Sequence, residues 1–320
     1  MNPIIYFTDF LEIYDKELHF PIPKKNLLKR QLIPITVGKF TLLVTSNTEE
    51  YLRVFSNYFH FDNKLEQYRN IIVISLDNSE TSTGIFEKNI QGIKSGFDIF
   101  GNKIYRYLDS SAKTSESGQY IQFSIHNEIK KLMFFITKII ENEIISLHLK
   151  LGFLPVHSSL CLNETNKYSL VLGNSQSGKT TFCTTNQRVL ISDDINFISM
   201  EACLPFGHYY KKYINPDTPS TGFIESFQSF EREVHKLGEN RIGRISLRDI
   251  EEIIFLEVGN FEAKEFEISN TQEKMNFLLN VLLDIPNHFF LDSAPFSILI
   301  LPIVNTIVNN KIFIKQRSVT

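Results

Sequence analysis

Tryptophan is absent from this chain of 320 residues, and cysteine occurs only three times. No apolar run reaches about 18 residues without a charge, so no membrane span is expected. The cysteines, Cys161, Cys183 and Cys203, are odd in number and form no C-x-x-C pair, which points away from a disulfide framework or a zinc site. They read as small buried hydrophobes in a reducing compartment. The missing tryptophan stands beside 28 phenylalanines and abundant isoleucine, asparagine and lysine, a pattern of codon bias rather than function. Charge of one sign is also lacking: 33 basic and 36 acidic residues leave a net charge of −3, with no electrostatic footprint for nucleic acid. Asp9, Glu12 and Asp15 interrupt the first apolar residues, so a signal peptide is not expected there. A cytoplasmic protein with neither nucleic acid nor membrane as partner is the expectation.

The length allows two domains, or one large α/β domain with an elaborated half, and the 42% hydrophobic content is ordinary for globular chains. Residues 1–126 read as strand-rich. The segments 40–45 and 70–76 are β-branched and bounded by turn residues, while 103–108 and 120–125 alternate as half-buried strands do. The polar stretch DSSAKTSESG, residues 109–118, reads as a loop. Residues 127–149 change period. Ile129, Leu132, Met133, Ile136, Ile139, Ile140, Ile144 and Leu147 recur at three- and four-residue spacing, predicting a helix with one apolar stripe, Asn127 before it and Gly152 after it. This helix is expected to link the first region to a domain running over 127–320. In that domain strands are predicted at 158–162, 168–172, 189–192, 252–258, 297–301 and 311–314, and a helix at 271–283. There is no internal repeat and no low-complexity tract.

The most informative segment is Gly173-Asn174-Ser175-Gln176-Ser177-Gly178-Lys179-Thr180, which fits G-x-x-x-x-G-K-[ST] at every fixed position. Such a loop curls successive backbone N–H groups round a phosphate, helped by the N-terminus of the helix that follows. Lys179 would reach the β- and γ-phosphates of a nucleotide, and the Thr180 hydroxyl would sit on Mg²⁺. The apolar strand 168–172 enters the loop and Thr181 leaves it in a helix start, which is the order the motif needs. The bland alternative is a chance match in a loop of ordinary turn residues.

Phosphoryl transfer also needs charge neutralisation and a group to position or deprotonate the acceptor. Asp193-Asp194 closes the strand 189–192, and such strand ends face the ligand crevice of open α/β sheets. A strand beside the one that enters the loop would bring the pair to Mg²⁺ and the γ-phosphate. Neighbours on a strand point to opposite faces, so the two carboxylates are expected to differ in role. An ordinary Asp-Asp turn is the competing reading. His157, ahead of the strand 158–162, is unremarkable alone.

Taken in order, Val156-His157-Ser158-Ser159, the hairpin, the Gly-rich loop and Leu190-Ile191-Ser192-Asp193-Asp194 resemble the catalytic domain of the HPr kinase/phosphorylase family. Arg244-Ile245-Ser246-Leu247-Arg248 and the strand through Glu257 are similar to that family's later arginine loop and strand. The similarity covers residues 145–260. It implies an α/β fold, with a P-loop nucleotide-binding domain of HPr-kinase/PEP-carboxykinase-like type behind a strand-rich N-terminal region. It implies ATP and Mg²⁺ as cofactors, and as partner a peptide or protein carrying an acceptor serine. Asp194 would be the general base, His157 would hold the transferring phosphoryl group, Asp193 would support Mg²⁺ with Thr180, and Arg244 would be the catalytic arginine. Family members often assemble as homo-oligomers, although no interface signature is found here. The chain departs from the family in a short stretch between Lys179 and Asp194, in lacking a placeable HPr-recognition segment, and in its N-terminal half. It resembles more closely the diverged members found beside peptide natural-product pathways, including kinases of a lasso-peptide precursor serine. The same residues could serve a small-molecule hydroxyl, the bifunctional kinase/phosphorylase, or a nucleotide-binding regulator with little or no transferase activity. No guanine-specifying N-K-x-D motif is present.

Overall fold

The computed structural model describes residues 5–6, 31–37, 40–59, 71–78, 80–115, 118–174, 177–185, 188–205, 209–213, 223–227, 230–236, 245–259, 264–283 and 293–318. They form a mixed α/β structure rich in strands and sparing in helices. The chain divides into two units, one of Met1–Ile144 with Tyr213–Val234, the other of Ile145–Lys212 with His235–Thr320. The division falls inside a helix, where the sequence reading set the boundary at 126/127.

The first unit carries strands β1 (Ile5–Tyr6), β2 (Gln31–Val37), β3 (Phe40–Ser46), β4 (Ile71–Asp77), β5 (Ile85–Ile90), β6 (Ile93–Phe97), β7 (Lys103–Tyr107), β8 (Ser110–Thr114) and β9 (Tyr120–Ser124). They make one sheet in the order β1-β2-β3-β4-β9-β8-β7-β6-β5. β3, β4 and β9 run parallel, and helix α1 (Glu49–Phe59) lies in the β3–β4 crossover, as parallel neighbours require. Every residue of β4 is buried, which accounts for its mostly apolar sequence IIVISLD, where a strand with one face in solvent would alternate. β8 corrects the reading of 109–118 as a loop. Its Ser, Ala, Lys and Thr side chains carry no strand signature, but pairing to β7 and β9 fixes it, and Ser110, Ser111, Ala112 and Thr114 are buried.

Helix α2 (Ile129–Lys150) begins two residues after Asn127. It ends in a Schellman arrangement: Gly152 adopts φ 83°, its N–H donates to Leu149 O (3.0 Å), and the Phe153 N–H donates to His148 O (2.9 Å). The single apolar stripe proves too narrow, because Glu141, Asn142, Glu143 and His148 are buried as well. Glu143 escapes the cost of burial by accepting from the Tyr105 hydroxyl at 2.7 Å, and Asn142 Nδ2 donates to the same Tyr105 oxygen at 3.2 Å. No helix among the described residues is long and apolar enough to cross a membrane.

The second unit holds β10 (Leu154–Leu162), β11 (Tyr168–Gly173), helix α3 (Lys179–Thr184), β12 (Val189–Ser192), β13 (Ile195–Ile198), β14 (Ala202–Pro205) and, except for its last residue, β15 (Tyr209–Tyr213). The hairpin β16 (Phe223–Phe227) and β17 (Phe230–Lys236) follows, paired from Phe223↔Val234 to Phe227↔Phe230. The second unit then resumes with β18 (Ile245–Ser246), β19 (Ile250–Gly259), β20 (Lys264–Ile268), helices α4 (Thr271–Leu283) and α5 (Ser293–Ile307), and β21 (Lys311–Ser318). Its sheet order is β18-β14-β13-β10-β11-β19-β21-β20, with β12 also paired to β10. β11, β19 and β21 are parallel. The strand expected at 297–301 is part of α5. A short apolar run does not separate strand from buried helix, and here the apolar character continues on both sides of it.

Candidate functional site

The site is organised by β10, the middle strand of a group of three. β11 pairs along one edge, Ser158↔Leu172 to Leu162↔Tyr168, as the expected hairpin. Along the other edge β12 and β13 follow one another, β12 opposite Leu160–Leu162 and β13 opposite Leu154–His157. Asp193-Asp194 is the break between them. The expectation of a strand beside the loop-bearing strand is therefore corrected: β10 lies between β12 and β11. The carboxylates still reach the loop, because the break falls opposite Ser158-Ser159 and α3 packs over β10.

At the break the Ile195 N–H donates to Asp193 O at 2.9 Å, closing a three-residue turn in which Asp194 takes φ 70°. A γ-turn with positive φ is rare and strained for a residue bearing a Cβ. Its effect is to separate the two side chains. Asp193 turns inward, is buried, and accepts from the Ser159 hydroxyl and from Thr180 Oγ1, at 3.0 Å to Oδ1 and 2.9 Å to Oδ2. Asp194 stays 48% exposed at its side chain, with Oδ1 3.5 Å from His157 Nε2, and its carbonyl accepts the Ser158 N–H at 3.2 Å. The two carboxylates differ in environment because of the turn and not of strand alternation: one is sequestered against the helix and the other is presented to solvent.

The loop is shaped by two glycines. Gly173 ends β11 with φ 148°, and a Cβ there would lie 2.5 Å from Ser177 Oγ and 2.7 Å from the Leu256 carbonyl of β19. Gly178, at φ 82°, turns the chain into α3, a conformation that costs other residues but not glycine. Between them Ser177 Oγ is buried and has no hydrogen-bond partner among the described residues. Lys179 folds back, its Nζ donating to Gly173 O and Asn174 O, each at 3.0 Å. Burial pulls the Lys179 amine below the ordinary lysine value, opposed by the charges of Asp194 and Asp193. Burial and then the Asp194 charge push the Asp193 carboxyl above the ordinary aspartate value, opposed by the Ser159 and Thr180 hydrogen bonds.

Helix α3 is six residues long and too short to stand alone. Phe182 and Cys183 anchor it in a core shared with Cys161 of β10, Val171 of β11, and Ile254 and Leu256 of β19. Its end comes early because Thr184 and Thr185 turn their hydroxyls back to the carbonyls of Thr180 and Thr181, at 3.0 and 2.9 Å.

The structure thus brings together His157, Gly173, Asn174, Ser177, Gly178, Lys179, Thr180, Asp193 and Asp194. Thr181 is on α3 and exposed. Ser175, Gln176 and Arg244 lie outside the described residues. Two participants were not singled out from sequence. Ser159 holds Asp193, and Asn196 supports the strand break by donating from Nδ2 to Ser158 O (2.9 Å) and Ser158 Oγ (3.0 Å). The available signal was a polar residue in the apolar strands LPVHSSLCL and INFI.

Hard oxygen donors and an ammonium beside a Gly-rich turn suit a phosphate with Mg²⁺. Among the described residues no group of three or more His, Cys, Asp or Glu could hold a metal ion by itself. Mg²⁺ does not need one, since it binds through one or two protein oxygens together with substrate phosphates and water. The orphaned Ser177 hydroxyl, facing the glycine that the loop cannot replace, fits a loop whose hydrogen bonds are completed by a ligand. No protein-family model matches the chain, and no curated protein matches it.

Proposed function

We propose that this chain is an Mg²⁺- and ATP-dependent kinase of the HPr-kinase-like P-loop type, transferring the γ-phosphate to a serine hydroxyl of a peptide or protein. The observation that carries the reading is the division of labour at 193–194. Asp193 is tied to the loop helix through Thr180, while Asp194 is exposed beside His157. In this reading Lys179 exchanges its two carbonyl partners for phosphate oxygens. Thr180 and Asp193 hold Mg²⁺, which supplies neutralisation of charge on the transferring group. Asp194 accepts the proton of the acceptor hydroxyl as its oxygen bonds to phosphorus and the bond to the leaving ADP breaks. His157 lines the same edge and orients the phosphoryl group.

The test measures ATP binding and ATP consumption with Mg²⁺ for the wild type, Asp194→Asn and Lys179→Ala. Transfer lost in Asp194→Asn with nucleotide affinity retained supports the kinase. Tight binding with consumption unchanged by Asp194→Asn refutes the role of Asp194 and favours a nucleotide-binding regulator.

A further inference from the structure

Behind the break at Asp193-Asp194 a side chain makes a bond that the strand ladder leaves unmade. β10 and β13 stay in register from Leu154↔Ile198 to His157↔Ile195. In a regular antiparallel ladder Ser158 and Asp194 would come next and exchange two backbone bonds. The Ser158 N–H does donate to Asp194 O, at 3.2 Å, but the register has ended and the return bond from the Asp194 N–H to Ser158 O is not made. The cause is the turn: Asp194 stands at φ 70° and the Ile195 N–H closes on Asp193 O at 2.9 Å, which swings the Asp194 amide out of the ladder. Ser158 is fully buried, and a buried carbonyl without a donor is costly. Asn196 supplies the donor. Its Nδ2 bonds Ser158 O at 2.9 Å and Ser158 Oγ at 3.0 Å, and the Ser158 hydroxyl in turn donates to Val156 O at 3.1 Å. A carbonyl accepts and never donates, so the Asn196 amide has one orientation, nitrogen towards Ser158 and oxygen away. That oxygen is buried with no hydrogen-bond partner among the described residues. Packing alone does not select a residue that strands an acceptor in this way, because a leucine of similar size would bury no polar atom. Ser158 and Ser159 point to opposite faces of β10. Ser159 is on the face that carries Asp193 and Thr180, so Asn196, bonded to the Ser158 hydroxyl, lies on the other face, away from the loop.

We propose that Asn196 is a positioning residue for the transfer step: by taking over the Ser158 carbonyl it holds the turn in which Asp194 presents its carboxylate beside His157. The role rests on the kinase reading above. Its physical content is a choice between two ways of satisfying one carbonyl. With Asn196 in place, Ser158 O is satisfied while Asp194 keeps its positive φ, a strained conformation for a residue bearing a Cβ. Without the amide, the next donor along the ladder is the Asp194 N–H. Making that bond completes the pair Ser158–Asp194, relieves the strain and lengthens β13 by one residue. Asp194 then takes an ordinary strand conformation, and its carboxylate leaves the place where Oδ1 lies 3.5 Å from His157 Nε2. Asp193 is held separately, since Ser159 and Thr180 both donate to its carboxylate, so its tie to the loop helix is expected to survive. Asn196 is a firm anchor for the turn because its backbone is paired on both sides, to Val156 of β10 and to Pro205 of β14.

Two variants separate positioning from folding. Asn196→Leu removes the amide and keeps the volume, and Asn196→Ala removes it without adding apolar bulk. The full chain is assayed for steady-state ATP consumption with Mg²⁺ and serine-bearing peptides encoded beside its gene, for Mg·ATP affinity, and for hydrogen exchange at the Ile195 amide, which reports the turn itself. Each variant is expected to lose at least tenfold in kcat, to bind Mg·ATP within threefold of the wild type, and to exchange the Ile195 amide at least tenfold faster. Turnover equal to wild type overturns the proposal. So does lost turnover with Ile195 exchange unchanged, or an affinity for Mg·ATP that falls in step with kcat. Failure of both variants to fold, read by circular dichroism, makes Asn196 a structural residue and overturns it too. A wild type that consumes no ATP refutes the kinase reading and the positioning role with it, while Ile195 exchange still reports whether Asn196 holds the turn.

Discussion

Replacing Gly173 by alanine tests the geometry on which the loop depends. The new Cβ would meet two atoms at impossible distances, Ser177 Oγ at 2.5 Å and Leu256 O at 2.7 Å. Ser177 can rotate away, since among the described residues its hydroxyl has no partner to lose. Leu256 O cannot, because it belongs to the backbone of β19, held between β11 and β21 in the parallel part of the sheet. The residue must also keep φ 148°, which side chains other than hydrogen rarely tolerate. Strained backbone costs ~1–3 kcal/mol and overpacking ~1–3 kcal/mol, so the two together come to about 2–6 kcal/mol. That is a large part of a typical stability of about 5–15 kcal/mol. At ~2–4 °C per kcal/mol for a domain of this size, Tm should fall by about 4–24 °C. Gly152→Ala is the control. It too has positive φ, but nothing lies within 4 Å of its added Cβ, so only a backbone cost of ~1–2 kcal/mol is expected. Thermal unfolding of the three proteins, followed by circular dichroism, with ATP affinity measured alongside, decides the matter. A Gly173→Ala variant with wild-type Tm and affinity would refute the close approach of β11 and β19 and the loop shape built on it.

Lys179→Ala should lower transfer by ~10²-fold or more, because a charge contact made in the transition state is lost; unchanged turnover would remove Lys179 from the site. At a hundredfold excess over its Kd, Mg·ATP should stabilise the wild type by about 2.7 kcal/mol, and a thermal-shift assay should show this gain lost in Lys179→Ala. His157→Ala should cost less turnover than Asp194→Asn if it only orients phosphate, and steady-state rates equal to wild type would return it to a structural role. Asp193 supplies the pH dependence. Its folded pKa is raised, so the folded state holds the proton more tightly than the unfolded chain, and stability is lost as pH rises from the ordinary aspartate range through the raised value. Asp193→Asn removes that loss, so urea unfolding should show the variant gaining on the wild type as pH rises across this window; a constant or opposite difference would contradict the burial of the charge.

Much of the second unit is legible because its signals are local. The G-x-x-x-x-G-K-T pattern, the hairpin β10–β11 and helix α4 at Thr271–Leu283 follow from turn residues and periodicity over a few positions. The misses have tertiary causes. β8 has the composition of a loop and is a strand because β7 and β9 flank it. The 297–301 run has the composition of a strand and is helical within a longer apolar segment. Glu143 breaks the apolar stripe of α2 yet is buried, since Tyr105, 38 positions away in sequence, satisfies it. At the site, the residue types at 157, 179, 180, 193 and 194 were readable. The strand order was not, and neither was the strained turn at Asp194, since both depend on how β12 and β13 share one edge of β10.

Phosphoryl transfer to a serine leaves a mass on the acceptor that mass spectrometry reads. Purified protein is incubated with Mg·ATP and serine-bearing peptides encoded beside its gene, in parallel with Asp194→Asn. A mass gain of one phosphate on a peptide serine is expected with the wild type and none with the variant. Phosphopeptide formed equally by Asp194→Asn, or ATP bound tightly with no peptide modified, would contradict it.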